Sequence, residues 1–142
     1  MANSFVRYTG NGSTSTYSIP FSYRSTADLS ATVAGVNTTF SLNAAGTTLT
    51  FASPPANLAA VEIRRKTSQT SRLTDYASGS VLTESDLDTD STQAFMMSQE
   101  AIDSADDVIK ISNTDFQYDA TSKQIRNVTD PTSAQDVATK AY

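Results

Sequence analysis

Apolar and polar residues alternate with a period of two through much of the first 66 residues, and the period becomes helical from Thr83 onward. Ser4 to Tyr8 predicts a short strand closed by the turn-prone Gly10-Asn11-Gly12. From Ser15 to Tyr23, Tyr17, Ile19, Phe21 and Tyr23 share one face, with Ser18, Pro20 and Ser22 on the other; Pro20 marks an edge strand or the end of one. Leu29, Ala31 and Val33 run up to Ala34-Gly35, and Val36, Thr38, Phe40 and Leu42 leave it with the same period, which predicts a hairpin. Asn43 to Gly46 is the next turn. Thr47, Leu49 and Phe51 then alternate with Thr48 and Thr50 until Ser53-Pro54-Pro55, where proline ends the ladder. Val61 and Ile63 alternate with Glu62 and Arg64 in a further strand. Short strands at nearly regular spacing predict a small antiparallel β-sandwich. Its core is expected at Tyr17, Ile19, Phe21, Leu29, Val33, Val36, Phe40, Leu49, Phe51, Val61 and Ile63.

Thr67 to Ser80 is mostly hydroxyl and charged residues and reads as a hinge. Thr83 then has the chemistry of a helix cap, and Glu84, Asp86, Asp88 and Asp90 complement the positive end of the helix dipole. Phe95, Ser98, Ile102, Ala105 and Ile109 step by alternating threes and fours in a heptad seam, widened on one side by Ala94, Ala101 and Val108. Leu87 extends that seam toward the helix start. Small residues at alternate positions keep one such helix from burying much alone, so pairing with copies of itself is expected, although periodicity does not choose two copies over three. The helix is expected to last until about Ser112. Beyond Asn113, Phe116 and Tyr118 with Ile125 and Val128 suggest a hairpin, Thr129 to Thr132 a turn, and Asp136 to Tyr142 the start of another helix. The reading is thus mainly β with an α-helical extension, in three parts: 1–82 sandwich and hinge, 83–112 helical stalk, 113–142 linker.

Composition narrows the chemistry. Among 142 residues there is no cysteine and no histidine, which rules out disulfides, thiolate or Ser–His–Asp catalysis and a His-ligated zinc site. A net charge of −5 argues against nucleic acid or an anionic membrane as partner, and no apolar run approaches the length of a membrane span. Asp86-x-Asp88-x-Asp90 opens like a calcium loop, but Ser91 and Met97 stand where that loop needs a glycine and a bidentate glutamate. No catalytic, metal or cofactor residue is therefore assigned. Arg64-Arg65-Lys66 is the one basic cluster: either a solvated strand end, or a place where Arg64 or Lys66 meets an acidic partner protein. Alternation turns Arg65 inward beside Val61 and Ile63, where it needs a carboxylate; Asp75 and Asp86 are the nearest in sequence.

A resemblance gathers these features. IPFSY at 19–23, Ile63 to Arg65, Thr67 to Thr70, Arg72-Leu73 with Asp75-Tyr76, Gly79-Ser80, and Leu82 to Leu87 before Gln93, Gln99 and Glu100 resemble the N-terminal particle-binding domain of tail fibres and tailspikes of short-tailed, T-seven-type bacteriophages. The closing IRNVTDPTSAQDVATKAY resembles a segment that links anchor to shaft in many phage fibres. The resemblance implies a non-enzymatic virion protein of the tail, made in the host cytoplasm. It implies a homotrimer along Leu87, Phe95, Ser98, Ile102, Ala105 and Ile109, docked on the tail's adaptor and nozzle. Arg64, Lys66, Arg72, Asp75 and Tyr76 are candidate docking residues. The long shaft and receptor-binding part of such fibres is not seen here, so either the chain is a fragment of a longer fibre or it serves a separate receptor-binding protein. The competing class is a carbohydrate-binding β-sandwich, for which Tyr8, Tyr23 and Tyr76 are the aromatic candidates.

Overall fold

A computed structural model of the chain describes residues 2–134, 136 and 137. It falls into two compact units, Met1–Ala105 and Asp106–Tyr142. The first holds two antiparallel sheets. One has the order β1-β7-β3-β4, built from β1 (Phe5–Thr9), β7 (Ala60–Arg65), β3 (Leu29–Val33) and β4 (Val36–Asn37). The other has the order β2-β6-β5, from β2 (Thr16–Ser18), β6 (Thr48–Phe51) and β5 (Phe40–Leu42). Tyr17, Ile19, Phe21, Leu29, Ala31, Leu49, Phe51, Val61 and Ile63 form one buried cluster with members from both sheets. The expected sandwich is there, and most of its expected core.

The strand end expected at Pro20 is met, and two other local expectations give way. Pro20 lacks the N–H that the ladder needs, so β2 ends at Ser18; Ile19 and Phe21 stay buried in irregular backbone, and Ile19 N–H still donates to Thr47 O at 2.8 Å. The run from Val36 to Leu42 is not one strand but two in different sheets. Ala34 and Gly35, with φ of 51° and 82°, make the two-residue turn that right-handed strand twist favours. The returning strand then pairs with β3 over only two residues before the chain crosses to the other sheet. Val36, on that short edge, is 67% exposed and does not belong to the core, while Val33 and Phe40 pack at its margin.

The helix α1 is Glu84–Asp106. Thr83 caps it as expected: its Oγ1 accepts from Asp86 N–H at 3.2 Å, and Asp86 Oδ2 accepts in return from Thr83 N–H at 3.1 Å. Its end comes before the expected Ser112. No basic residue lies in the last turn, so Asp103 and Asp106 oppose the negative end of the dipole. The following Val108-Ile109 and Ile111 are β-branched and favour extended backbone. Ile109 and Val108 are therefore not on the helix, and the seam loses its last expected member. Within the second unit β8 (Lys110–Ile111) pairs with β9 (Tyr118–Asp119). That hairpin replaces the one expected between Tyr118 and Ile125. Of the expected helix from Asp136 to Tyr142, residues 138–142 lie outside the described residues.

The boundary of the core is testable. Leu49→Ala should cost about 2–5 kcal/mol in urea unfolding, because Leu49 is fully buried. Val36→Ala should change stability by less than about 0.5 kcal/mol. Equal losses would return Val36 to the core.

Candidate docking surface at the strand–helix junction

Strand parity sends Val61, Ile63 and Arg65 of β7 inward and Glu62 and Arg64 outward. Arg65 is 1% exposed, and each of its three guanidinium nitrogens donates at least one hydrogen bond. Nε donates to Glu100 Oε1 at 2.9 Å and Nη1 to Ser22 O at 2.6 Å. Nη2 donates to Met96 O and Gln99 Oε1, both at 3.0 Å. The inward assignment of Arg65 holds, but its carboxylate is Glu100, not Asp75 or Asp86. Glu100 also accepts from Thr67 N–H at 3.0 Å and Thr67 Oγ1 at 2.6 Å.

Two further polar keys fix the helix on the sandwich. Asp103 accepts from Ser4 N–H and Ser4 Oγ at 2.6 Å each and from Asn3 N–H at 2.8 Å. Burial pushes this carboxyl up, but the hydrogen bonds from Ser4 and Asn3 outweigh it and hold it below the ordinary aspartate value. Gln93 accepts from Leu73 N–H at 3.0 Å and donates to Ser68 O and Ser71 O at 2.9 Å, which orders the hydroxyl-rich link. The buried face of α1 is thus Gln93, Met96, Glu100 and Asp103. Among the described residues no buried side-chain nitrogen or oxygen lacks a partner, as a polar interface requires. The sequence reading names Gln93 and Glu100 only as marks of a resemblance and misses Asp103, although the 3-4-3 spacing of Gln93, Met96, Glu100 and Asp103 makes a second helical stripe.

The expected docking residues are spread over this junction. On the outer sheet face Phe5 lies between two guanidinium groups, Arg7 at 4.5 Å and Arg64 at 4.3 Å from its ring centre. Glu62 accepts from Arg7 Nε and from Arg64 Nε at 2.8 Å each. The Arg64 hydrogen bond above all, with that of Arg7, holds the Glu62 carboxyl below its usual range against the opposing pull of burial. Lys66 and Asp75 are exposed. Arg72 lies 5.4 Å from the Tyr76 ring centre and 3.7 Å from Asp90 Oδ1, and Tyr76 OH donates to Asp86 O at 3.2 Å. Arg64 and Lys66 line a groove of about 440 Å³ with Met97 and Ala101, separate from the Arg72–Tyr76 pair. The tyrosines of the sugar-binding reading are occupied within the fold. Tyr8 OH donates to Ser18 O at 2.8 Å and its ring packs 5.2 Å from that of Tyr17. Tyr23 OH donates to Gly46 O at 2.7 Å. Among the described residues no group of three or more His, Cys, Asp or Glu is placed to hold a metal ion.

The family described as "Phage T7 tail fibre protein, N-terminal domain" matches residues 1–134. The chain belongs to that family. The tail fiber protein of Escherichia phage T7 is 32% identical over 140 residues, 92% of this chain and 25% of that protein. The tail fiber protein of Enterobacteria phage T3 gives the same identity and coverage. A capsule KN4-specific depolymerase of Klebsiella phage KN4-1 is 37% identical over 83 residues, 58% of this chain and 10% of its own length. This tail fibre domain therefore spans about a quarter of the length of the two tail fiber relatives.

Two consequences of the polar keys can be measured. Arg65→Ala leaves Glu100 buried without its cation and should destabilise the domain by about 3–5 kcal/mol. Arg64→Ala removes a partly exposed pair and should cost no more than about 1 kcal/mol. Similar small losses in denaturant titrations would refute the inward key.

Asp103 supplies the pH dependence. A carboxylate whose pKa is lower folded than unfolded contributes fully above the ordinary value of 3.8 and loses its contribution as pH falls through the depressed folded value. Asp103→Asn should be less stable than wild type by about 1–3 kcal/mol at neutral pH. The gap should close across that acid window, and a gap unchanged there would show that Asp103 is not the titrating key.

Proposed function

We propose that this domain is the structural anchor that joins a tail fibre to the phage tail, with the tail's adaptor and nozzle as its partners. The observation that carries the reading is the family match over residues 1–134. What the tail fiber proteins and the depolymerase share with this chain is 25% and 10% of their own lengths. A segment held in common by proteins of different working ends suits attachment rather than catalysis. On this reading the domain is not an enzyme, sits in the virion tail after synthesis in the host cytoplasm, and leaves host recognition to another part of the fibre or a separate receptor-binding protein.

Homotrimer formation belongs to the same proposal. The residues Phe95, Ser98, Ile102 and Ala105 lie roughly opposite the docked face at 100° per residue, and Phe95 and Ile102 are 63% and 57% exposed. Leu87 is half exposed at the N-terminal end of that stripe. Each large side chain buried between copies would contribute about 1.5–3 kcal/mol. With the sandwich on one side of the helix and the seam on the other, three helices can meet at an axis while the sandwiches face outward. The Arg7–Phe5–Arg64 stack and the Arg72–Tyr76 pair, with Lys66 and Asp75, are then available to the tail.

Binding to isolated tails tests the anchor. Residues 1–105 should co-sediment with tail complexes, and residues 106–142 should not; a glycan array should give no binding to either. Tail binding by 106–142 alone would reverse the assignment, and a specific glycan signal from 1–105 would favour the carbohydrate-binding class.

A further inference from the structure

The charges of the first unit pair off in a way that leaves a remainder. From residue 1 to 66 there are five basic residues against two acids, Asp28 and Glu62, so the sandwich carries 5 − 2 = +3. Arg7 and Arg64 pair with Glu62, and Arg65 with Glu100. Arg24 and Lys66 form no ion pair among the described residues; Lys66 lines the separate groove with Arg64 and Met97. The helix, by contrast, holds seven acids and no Lys or Arg. Asp86 is tied to Thr83, Asp90 to Arg72, Glu100 to Arg65, Asp103 to Ser4 and Asp106 to Lys110. Glu84 and Asp88 remain without an ion pair among the described residues.

Arg24 and the two unpaired acids of the helix line one shallow groove of about 350 Å³, together with Ser85, Thr89 and Thr92. Arg24 is set there by a pinned loop. Tyr23 OH donates to Gly46 O at 2.7 Å, Ser22 O accepts from Arg65 at 2.6 Å, and Ser25 Oγ accepts from Ala27 N–H at 3.2 Å. Glu84 and Asp88 fall in the heptad rows of Ser98 and of Phe95 and Ile102 respectively. Helices that associate along this seam therefore bring like carboxylates toward one another at its N-terminal end, which opposes association unless a cation intervenes.

We propose that Arg24 of one copy pairs with Glu84 and Asp88 of the neighbouring copy, so that the groove beside the helix start is a docking surface for a second chain. This rests on the seam-to-seam association proposed above. The sandwich thereby adds a cation to an interface whose helices carry only acids, and each copy completes the site of the next around the ring.

Sedimentation equilibrium of the whole chain and native mass spectrometry of mixtures test the contact. Wild type should be trimeric. Arg24→Glu should weaken association by about tenfold or more, the equivalent of about 1.4 kcal/mol. Arg24→Ala, which removes no side-chain ion pair or hydrogen bond among the described residues, should weaken it less but in the same direction. A chain carrying Glu84→Lys and Asp88→Lys should also associate poorly alone. Mixed with the Arg24→Glu chain it should form heterotrimers, because two of the three contacts in a mixed ring then join opposite charges. If both chains associate poorly alone and the mixture does no better, the pairing lies within one chain and the proposal falls. A trimeric wild type whose Arg24→Glu and Arg24→Ala variants associate equally well overturns the proposal and leaves the seam standing. A monomeric wild type removes both.

Discussion

A guanidinium taken out of water must find a carboxylate and hydrogen-bond acceptors, or the fold around it loses several kcal/mol. Arg65 meets that demand with Glu100, Gln99 and two main-chain carbonyls, contributed by the helix and by the loop after β2. The same carboxylate then receives the first residues after β7 through Thr67. Strand, link, loop and helix are thereby fixed by one ion pair. The apolar contribution to the buried helix face is small, since Met96 is its only hydrophobic member. Direction-dependent hydrogen bonds, rather than area, decide where the helix lies.

This division of labour explains how one helix can serve two surfaces. The sandwich has its own core, drawn from both sheets and complete without any helix residue. The helix is therefore not needed to cover the sheets, and its apolar stripe need not face them. Polar keys at Gln93, Glu100 and Asp103 hold one side while Phe95, Ser98, Ile102 and Ala105 stay on the other. An apolar docked face would have competed with that exposed stripe for apolar contacts; a polar one does not.

Much of this was legible in the sequence, for physical reasons that also set the limits. Tyr17, Ile19, Phe21, Leu29, Leu49, Phe51, Val61 and Ile63 announce their burial by period alone, and Thr83 announces the helix start by its side-chain chemistry. Arg65 was readable as inward by the same parity. Its partner was not, because Glu100 is 35 residues away and tertiary proximity leaves no local trace. Val36 misled because alternation persists across a change of sheet, and only the two-residue length of β4 shows that its side chain meets no opposing layer. The early end of the helix follows from acids at the wrong pole of its dipole, a signal present in the sequence but weaker than the heptad pattern that runs on through Ile109. For the docking candidates, sequence named residues and the structure arranges them, Arg64 with Phe5 and Arg7, Arg72 with Tyr76, Lys66 and Asp75 exposed.

The clamp between Asp103 and the first residues of the chain spans a separation of 99 to 100 positions. As the ribosome delivers the protein from its N-terminus, β1 can find β7 once Arg65 has emerged, yet Ser4 stays uncapped until Asp103 follows. The sandwich thus has time to close on itself before the helix that seats against it exists, and the outward stripe of that helix becomes presentable only when its own sandwich is already built. For the association between chains proposed above, this order lets folding within a chain come first, so that half-made partners need not mix.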